Sequence, residues 1–515
     1  MEDEKEPPKK YIKYLTEKEK PCYVESDKYI MHFSQKLTNG DSTYRCKFYK
    51  DKLIKCKAYV KFDSNGNLKS FSDNHTCSID TLQIQKLKIM NSAKDSLKNL
   101  EDIYTIKARD IFNNSIKKAI KRKYDYDEEE ANIEKHNLNL DYKPIKSPTF
   151  DNVKHNIYRY INKQFPKDMD NLKDMPEESD FYKTIKGGNF LAYKTDKMLI
   201  FMSKIQAQLF YEYNDHVFID GTFYSAPKSA YQIITIRVHN IVEDRFHTVA
   251  YGVLVNKNLE SYIEFFESIK SYTFENRENK HSNVARLPKT IHCDFELAII
   301  GAIKQSFPNT EIKLCLWHFF RNIEIHRKKI FGSLDNQSEE SLNILKRIKT
   351  LCYIDPNYLA EVFDIISEDA INSDENDNKF VNIYFKKTYI DKFNIKDWNY
   401  YKTYDHKTNN SCESFHHVLN GKFNNKPTIW KFISVIKMEE NNLELEIENI
   451  KNGEILLKRK KRGIKSFKLT MMKYYDAIDE KIKKINDSMS LNKHTDIVNI
   501  WYESLLVLPL YDYNV

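Results

Sequence analysis

The stretch FIDGTFYSAP, residues 218–227, ends an apolar run on a bare carboxylate. Val217, Phe218 and Ile219 predict a core strand, and Asp220 follows them directly, ahead of Gly221 and a β-prone Thr222-Phe223-Tyr224. A charge at the end of a buried strand is costly unless it is paired or binds a metal. KTIHCDFE, residues 289–296, repeats the pattern: a short apolar strand releases Asp294. Two strands that each free an acid at the C-terminal edge of one sheet bring both to one point, where open α/β sheets gather their ligands.

The surroundings of the two acids predict that sheet. MLIFMS and HVFID read as strands, AYQIITIRVHN as a long apolar one, and FHTVAYGVLVN alternates, with Val249, Tyr251, Val253 and Val255 on one face. NLESYIEFFESIKSY has helical spacing behind a capping Asn. The strand holding Asp294, the helix ELAIIGAIKQSF, the strand TEIKLCLW and the helix HFFRNIEIHRKKIF follow. Three consecutive strands predict a meander, and the later strand–helix–strand steps predict parallel pairing. Residues 336–400 read as helical. A further helix near 411–423 carries Glu413, His416 and His417 on one face, with Cys412, Phe415 and Leu419 on another. Three oxygen ligands from separate elements suit a pair of Mg²⁺ ions, or Mn²⁺, clamping the two oxygens of a phosphodiester displacement. Taken singly, Asp220 and Asp294 read as turn-forming acids and Glu413 as a solvated helix residue.

Composition sets outer limits. The 515 residues suffice for two to four domains. The charge of +8, from 82 bases and 74 acids, leans only weakly toward a polyanionic partner. No signal peptide is expected in MEDEKEPPKK, and no run has the length of a membrane span. Eight cysteines without a dense framework fit a reducing compartment, where Cys and His clusters bind metal more often than they form disulfides.

Upstream, short aromatic strands separated by turn signals at Asn39-Gly40 and Ser64-Asn65-Gly66 predict a small antiparallel unit. Within it Cys46, Cys56, His75 and Cys77 form a soft donor set of the kind tetrahedral zinc prefers, and a unit this small needs a staple. The alternative is buried cysteines beside a surface histidine. Lys47, Lys50, Lys52, Lys55, Lys57 and Lys61 suit phosphate contacts, or are simply a solvated face.

The arrangement YRCKFYKDKLIKCKAYV…NHTC resembles FLYWCH-type zinc fingers and their WRKY relatives, departing in its closing His-x-Cys. FIDGTFYSAPKSAYQIITIRVH, IHCDFELAIIGAI, CLWHFFRNI and TNNSCESFHHVLN, in that order, resemble the transposases of Mutator-like elements over roughly residues 190–430. That resemblance implies an RNase H-like mixed sheet with a helical insertion, and a DDE triad of Asp220, Asp294 and Glu413 holding two Mg²⁺ or Mn²⁺ ions. It further implies cleavage and strand transfer of double-stranded DNA at element ends and target, by a homo-oligomer in the nucleus. Its alternative is a domesticated descendant that only binds DNA. Cys315 and His318 match the family's Cys-x-x-His signature, and His416 a histidine that follows the glutamate. The pair is not read as a zinc site, and all three are accessory candidates. Glu296 and Asp215 match no triad position. The basic runs at 117–124 and 458–465 read as DNA grips, a nuclear signal, or solvated helix faces.

The expected organisation is a flexible lead-in at 1–25, a finger at 26–80 and a helical, DNA-binding region at 81–190. The first part of the catalytic core follows at 191–335, a helical insertion at 336–405, the glutamate-bearing core helix at 406–440, and a charged helical tail at 441–515.

Overall fold

The computed structural model describes residues 11–98, 108–118, 148–277, 286–332, 338–405, 408, 410–423, 426–453 and 462–510. The fold is mixed α/β. The chain divides into two compact units, residues 1–167 and 168–515.

In the first unit six antiparallel strands lie in sequence order: β1 (Tyr11–Leu15), β2 (Pro21–Glu25), β3 (Tyr29–Lys36), β4 (Ser42–Cys46), β5 (Tyr59–Phe62) and β6 (Leu68–Ser72). Residues 11–25, expected within a flexible lead-in, therefore form two strands, which corrects that expectation for the described part of it. The cause is long-range. The backbone N–H of Leu15 donates to Asn91 Oδ1 and the Asn91 amide donates back to Leu15 C=O, both at 2.9 Å. Cys22 and Val24 are also buried against Ile30 and Ile84. Asn91 and Ile84 lie on α1 (Thr81–Lys98), which packs with α2 (108–118) and α3 (Phe150–Asn162) around Met90, Ala93, Ile111, Phe112 and Ile157. Of the two basic runs, residues 119–124 and 458–461 lie outside the described residues.

The second unit is built on a seven-stranded sheet ordered β13-β12-β9-β10-β11-β8-β7. Its strands are β7 (Leu191–Lys194), β8 (Met198–Phe201), β9 (His216–Thr222), β10 (Gln232–Asn240), β11 (Arg245–Leu254), β12 (Thr290–Cys293) and β13 (Glu311–Leu314). β9, β10 and β11 form an antiparallel meander, and β12 runs parallel to both β9 and β13. Sequence patterning predicted this meander and these crossovers, but not β7 or the helix α4 (Lys204–Glu212).

One face of the sheet carries α4, α5 (Leu259–Asn276) and α6 (Leu297–Ser306). The contact is close at Gly252, where a Cβ would stand 2.5 Å from Phe265 Cε2 on α5. The register Gly221–Ile234–Gly252 belongs to this face, and Asp220–Thr235–Tyr251 therefore to the other. α7 (Leu316–Phe331) leads from β13 into the insertion α8 (Glu339–Thr350), α9 (Leu359–Ser373), α10 (Glu375–Asn378), a π-helical run Lys379–Ile390 and α11 (Ile395–Trp398). Phe319 of α7 stacks on Trp398 at 5.5 Å, and the Tyr400 hydroxyl donates to Leu314 C=O at 2.8 Å, which ties the insertion to the sheet edge. α12 (Asn410–Asn420) then returns to β9 and β10, followed by α13 (Ile429–Lys451), α14 (Arg462–Asp487) and α15 (Lys493–Ser504). Among the described residues no helix is long and apolar enough to cross a membrane.

Glu440 on α13 is buried and its Oε2 has no hydrogen-bond partner among the described residues. Desolvation pushes its carboxyl from 4.5 up to about 7, although a Ser203 hydrogen bond pulls the other way. Its stabilising contribution is complete below pH 4.5 and is lost as pH rises through 7. Glu440→Gln should therefore raise stability at pH 8 by on the order of 2 kcal/mol and change little at pH 4.5, as read from urea midpoints at the two pH values.

Candidate active site and metal centre

β9 and β12 explain the position of the two aspartates. Phe218 and His292 are register partners across this parallel pair, and their rings stack at 4.4 Å. Two residues further along, the same register leads to Asp220 on one strand and to Asp294 just past the end of the other. The carboxylate of Asp294 accepts the backbone N–H of Glu296 at 3.0 Å and caps the turn into α6. Glu296 itself accepts from the Tyr262 hydroxyl at 2.9 Å, which Gln232 braces at 2.6 Å. The other excluded acid, Asp215, is held in ion pairs with Arg286 and Lys289.

Asp220 is 7 % exposed and its Oδ2 lies 3.1 Å from His416 Nδ1. His416 Nε2 in turn lies 2.8 Å from the hydroxyl of Thr235, the register partner of Asp220 on β10. The imidazole thus spans carboxylate and hydroxyl and fixes the direction in which Asp220 points. His417, expected on the same helix face, is exposed instead. α12 is seated by Arg237 of β10, whose guanidinium donates to Ser411 C=O and lies 5.2 Å over the Phe415 ring.

Glu413 is half-buried on α12, and its Oε1 has no hydrogen-bond partner among the described residues. Burial and then the charge of Asp220 push its carboxyl up to about 7, and the same two causes in the same order push Asp294 up to about 6. Both groups favour the folded state when protonated. That advantage is lost as pH rises through 6 and 7, so at neutral pH the site costs stability unless a cation offsets it.

The ligand atoms of Cys315, His318 and Glu413 all lie within 4.8 Å of one another. Cys315 caps α7 and His318 lies one turn on, so their side chains share a face of its first turn. His318 Nδ1 is buried without a hydrogen-bond partner among the described residues, and burial holds the imidazole below its ordinary range. Among the described residues Asp220, Asp294 and Glu413 do not form a group this tight. Glu413 is gathered with Cys315 and His318, while Asp220 is engaged by His416.

In the first unit Cys46, Cys56, His75 and Cys77 converge, with all ligand atoms within 4.8 Å. Cys46 and Cys77 sulfurs are 3.5 Å apart, Cys56 and Cys77 3.7 Å, and His75 Nδ1 lies 3.5 Å from Cys56 and 3.6 Å from Cys77. A zinc tetrahedron with bonds of about 2.3 Å to sulfur and about 2.0 Å to nitrogen has edges of roughly 3.8 and 3.5 Å. The four residues can therefore hold zinc. Burial would raise the Cys56 thiol, but N–H groups of Ala58 and Thr76, with the neighbouring thiols, bring it down to about 6.

Sequence reading missed the support of this cluster. His75 Nε2 lies 3.2 Å from the buried Glu25 carboxylate, and Tyr29 stacks on the imidazole at 3.6 Å. Glu25 is fifty positions upstream in an unexpected strand, and nothing in its local sequence marks it. Of the six lysines, Lys47 is engaged with Asp80 at 2.7 Å, while Lys50, Lys52, Lys55 and Lys57 are exposed.

Residues 216–322 match the MULE transposase domain. The match takes in Asp220, Asp294, Cys315 and His318, and it ends before Glu413 and His416. No curated protein matches the chain.

Because Glu25 orients His75, Glu25→Gln should weaken zinc affinity about 10- to 100-fold while leaving all four ligands in place. Competition against a chromophoric chelator measures this, with Lys50→Gln expected to change nothing.

Proposed function

We propose that the protein is a DDE-type DNA transposase of the Mutator-like class, cutting and joining DNA at element ends. The observation that carries the reading is the pairing of β9 with β12, which brings Asp220 and Asp294 together inside the stretch that matches the MULE transposase domain. The sheet order β11-β10-β9-β12-β13, antiparallel in its first three strands and parallel in the rest, supports an RNase H-like core. α12 adds Glu413 from beyond the insertion.

In this reading Asp220, Asp294 and Glu413 hold two Mg²⁺ or Mn²⁺ ions, which supply neutralising charge to the attacking and leaving oxygens of a phosphodiester. The raised carboxyls of Asp294 and Glu413 and the unpaired Glu413 Oε1 fit that demand. His416 and Thr235 keep Asp220 in one rotamer, so its oxygens need no reorganisation when DNA arrives. Water attacks phosphorus in line and frees a DNA 3′-hydroxyl, which then attacks a target phosphodiester and displaces its 3′-oxygen, with no covalent protein–DNA intermediate. The Cys46–Cys56–His75–Cys77 finger and the exposed Lys50, Lys52, Lys55 and Lys57 would supply recognition of double-stranded element ends. Action on chromosomal DNA places the protein in the nucleus, and joining two ends calls for more than one copy.

Asp220→Asn keeps the side-chain shape and removes the charge that holds a cation. Mg²⁺-dependent cleavage of end DNA should fall by at least two orders of magnitude, while binding of that DNA, followed by gel shift, should persist. Cys56→Ser should weaken end binding and leave the second unit folded. Equal cleavage by wild type and Asp220→Asn would refute the catalytic assignment. Sequence-specific binding without cleavage by either would instead favour a domesticated DNA-binding protein.

His416→Ala should free Asp220 without removing a carboxylate. Cleavage should drop about 10- to 100-fold, and raising Mg²⁺ should restore part of it. The same metal titration should restore nothing to Asp220→Asn.

A further inference from the structure

Cys315, His318 and Glu413 form a second group of metal-ligating atoms, and its chemistry differs from that of the aspartates. The three donors are sulfur, nitrogen and oxygen, all within 4.8 Å of one another. Three protein ligands of mixed N/S/O type, with a fourth position open, are the pattern of a reactive zinc site rather than of a closed structural one. Hard ions such as Mg²⁺ favour oxygen-only surroundings, whereas thiolate and imidazole favour zinc and its transition-metal neighbours.

Local structure favours this assignment independently. Cys315 stands at the N-terminus of the sixteen-residue α7, where the helix dipole stabilises a thiolate. It is 1 % exposed. Two of the three residues also carry a buried polar atom, His318 Nδ1 and Glu413 Oε1, with no hydrogen-bond partner among the described residues. Two orphaned buried polar atoms beside a buried thiol would each cost free energy if nothing bound there. A cation held by these residues would offset that cost.

We propose that Cys315, His318 and Glu413 bind a zinc-class transition-metal ion with one coordination position left for water or a phosphate oxygen. The site deepens the proposed function and rests on it only in that the two share Glu413, whose carboxylate would serve both the zinc-class ion and the Mg²⁺ pair through its two oxygens. A DNA phosphate approaching Asp220 and Asp294 would then meet a softer, more strongly Lewis-acidic ion on the Glu413 side.

The test counts metal on the full-length protein without DNA. The chain is stripped with chelator, reloaded with zinc, freed of excess and assayed by plasma mass spectrometry. Wild type should retain two zinc ions per chain. Cys315→Ala and, separately, His318→Ala should each retain one, and Cys56→Ser should lose the other. The finger's zinc serves as an internal control for folding in the first two variants. Cobalt loaded into Cys56→Ser should show thiolate-to-cobalt charge transfer that vanishes when Cys315→Ala is added. A single zinc in wild type that survives both Cys315→Ala and His318→Ala would overturn the inference. The two proposals fail separately: two zinc ions with no DNA cleavage would count against the transposase reading alone, and Asp220-dependent cleavage by a chain holding one zinc against this inference alone.

Discussion

Like charges in a confined space set the terms for the second unit. Burial raises the carboxyls of both Asp294 and Glu413, and the charge of Asp220 adds to each shift. An arrangement that repels itself must be held by something stiffer than loops. Here the parallel β9–β12 pair fixes the two aspartates, and Arg237 and His416 fasten α12 over them. The opposite face of the sheet is packed so closely that Gly252 has no room for a methyl group beneath Phe265. The strands cannot relax away from the charge without losing that packing.

Much of this was legible in the sequence because the relevant signals are local. Two short apolar strands each ending in aspartate, the meander before them and the crossovers after them follow from periodicity and capping. The four candidate ligands of the first unit stand out by residue type. What was not legible depends on distant partners. β1 and β2 are short and carry a lysine and a proline, and Asn91 and Ile84 complete them as strands. Glu25 is an unremarkable acid until folding lays it against His75. Cys315 and His318 read as an isolated pair because their third neighbour, Glu413, arrives from the far side of the insertion. His416 and His417 look equivalent in sequence, yet only His416 faces the sheet.

The two clusters of potential metal ligands follow opposite designs. That of the first unit is closed: four donors at tetrahedral spacing, an imidazole backed by Glu25 and stacked under Tyr29, and a core that includes the cysteines themselves. That of the second is open, with donors drawn from two elements, and His318 Nδ1 and Glu413 Oε1 have no hydrogen-bond partner among the described residues. A closed cluster holds a shape. An open one can accept a further ligand.

The position of α12 in the chain also orders events in time. Both aspartates, Cys315 and His318 leave the ribosome well before residue 410, and the helices α8 to α11 must be made and packed before Glu413 can reach them. Closing so long a loop is slow and entropically costly, and only the docked insertion repays it. A nascent or prematurely terminated chain can therefore complete its first unit and much of its sheet while lacking the third carboxylate. Synthesis itself keeps the site unfinished until residue 413 has been read.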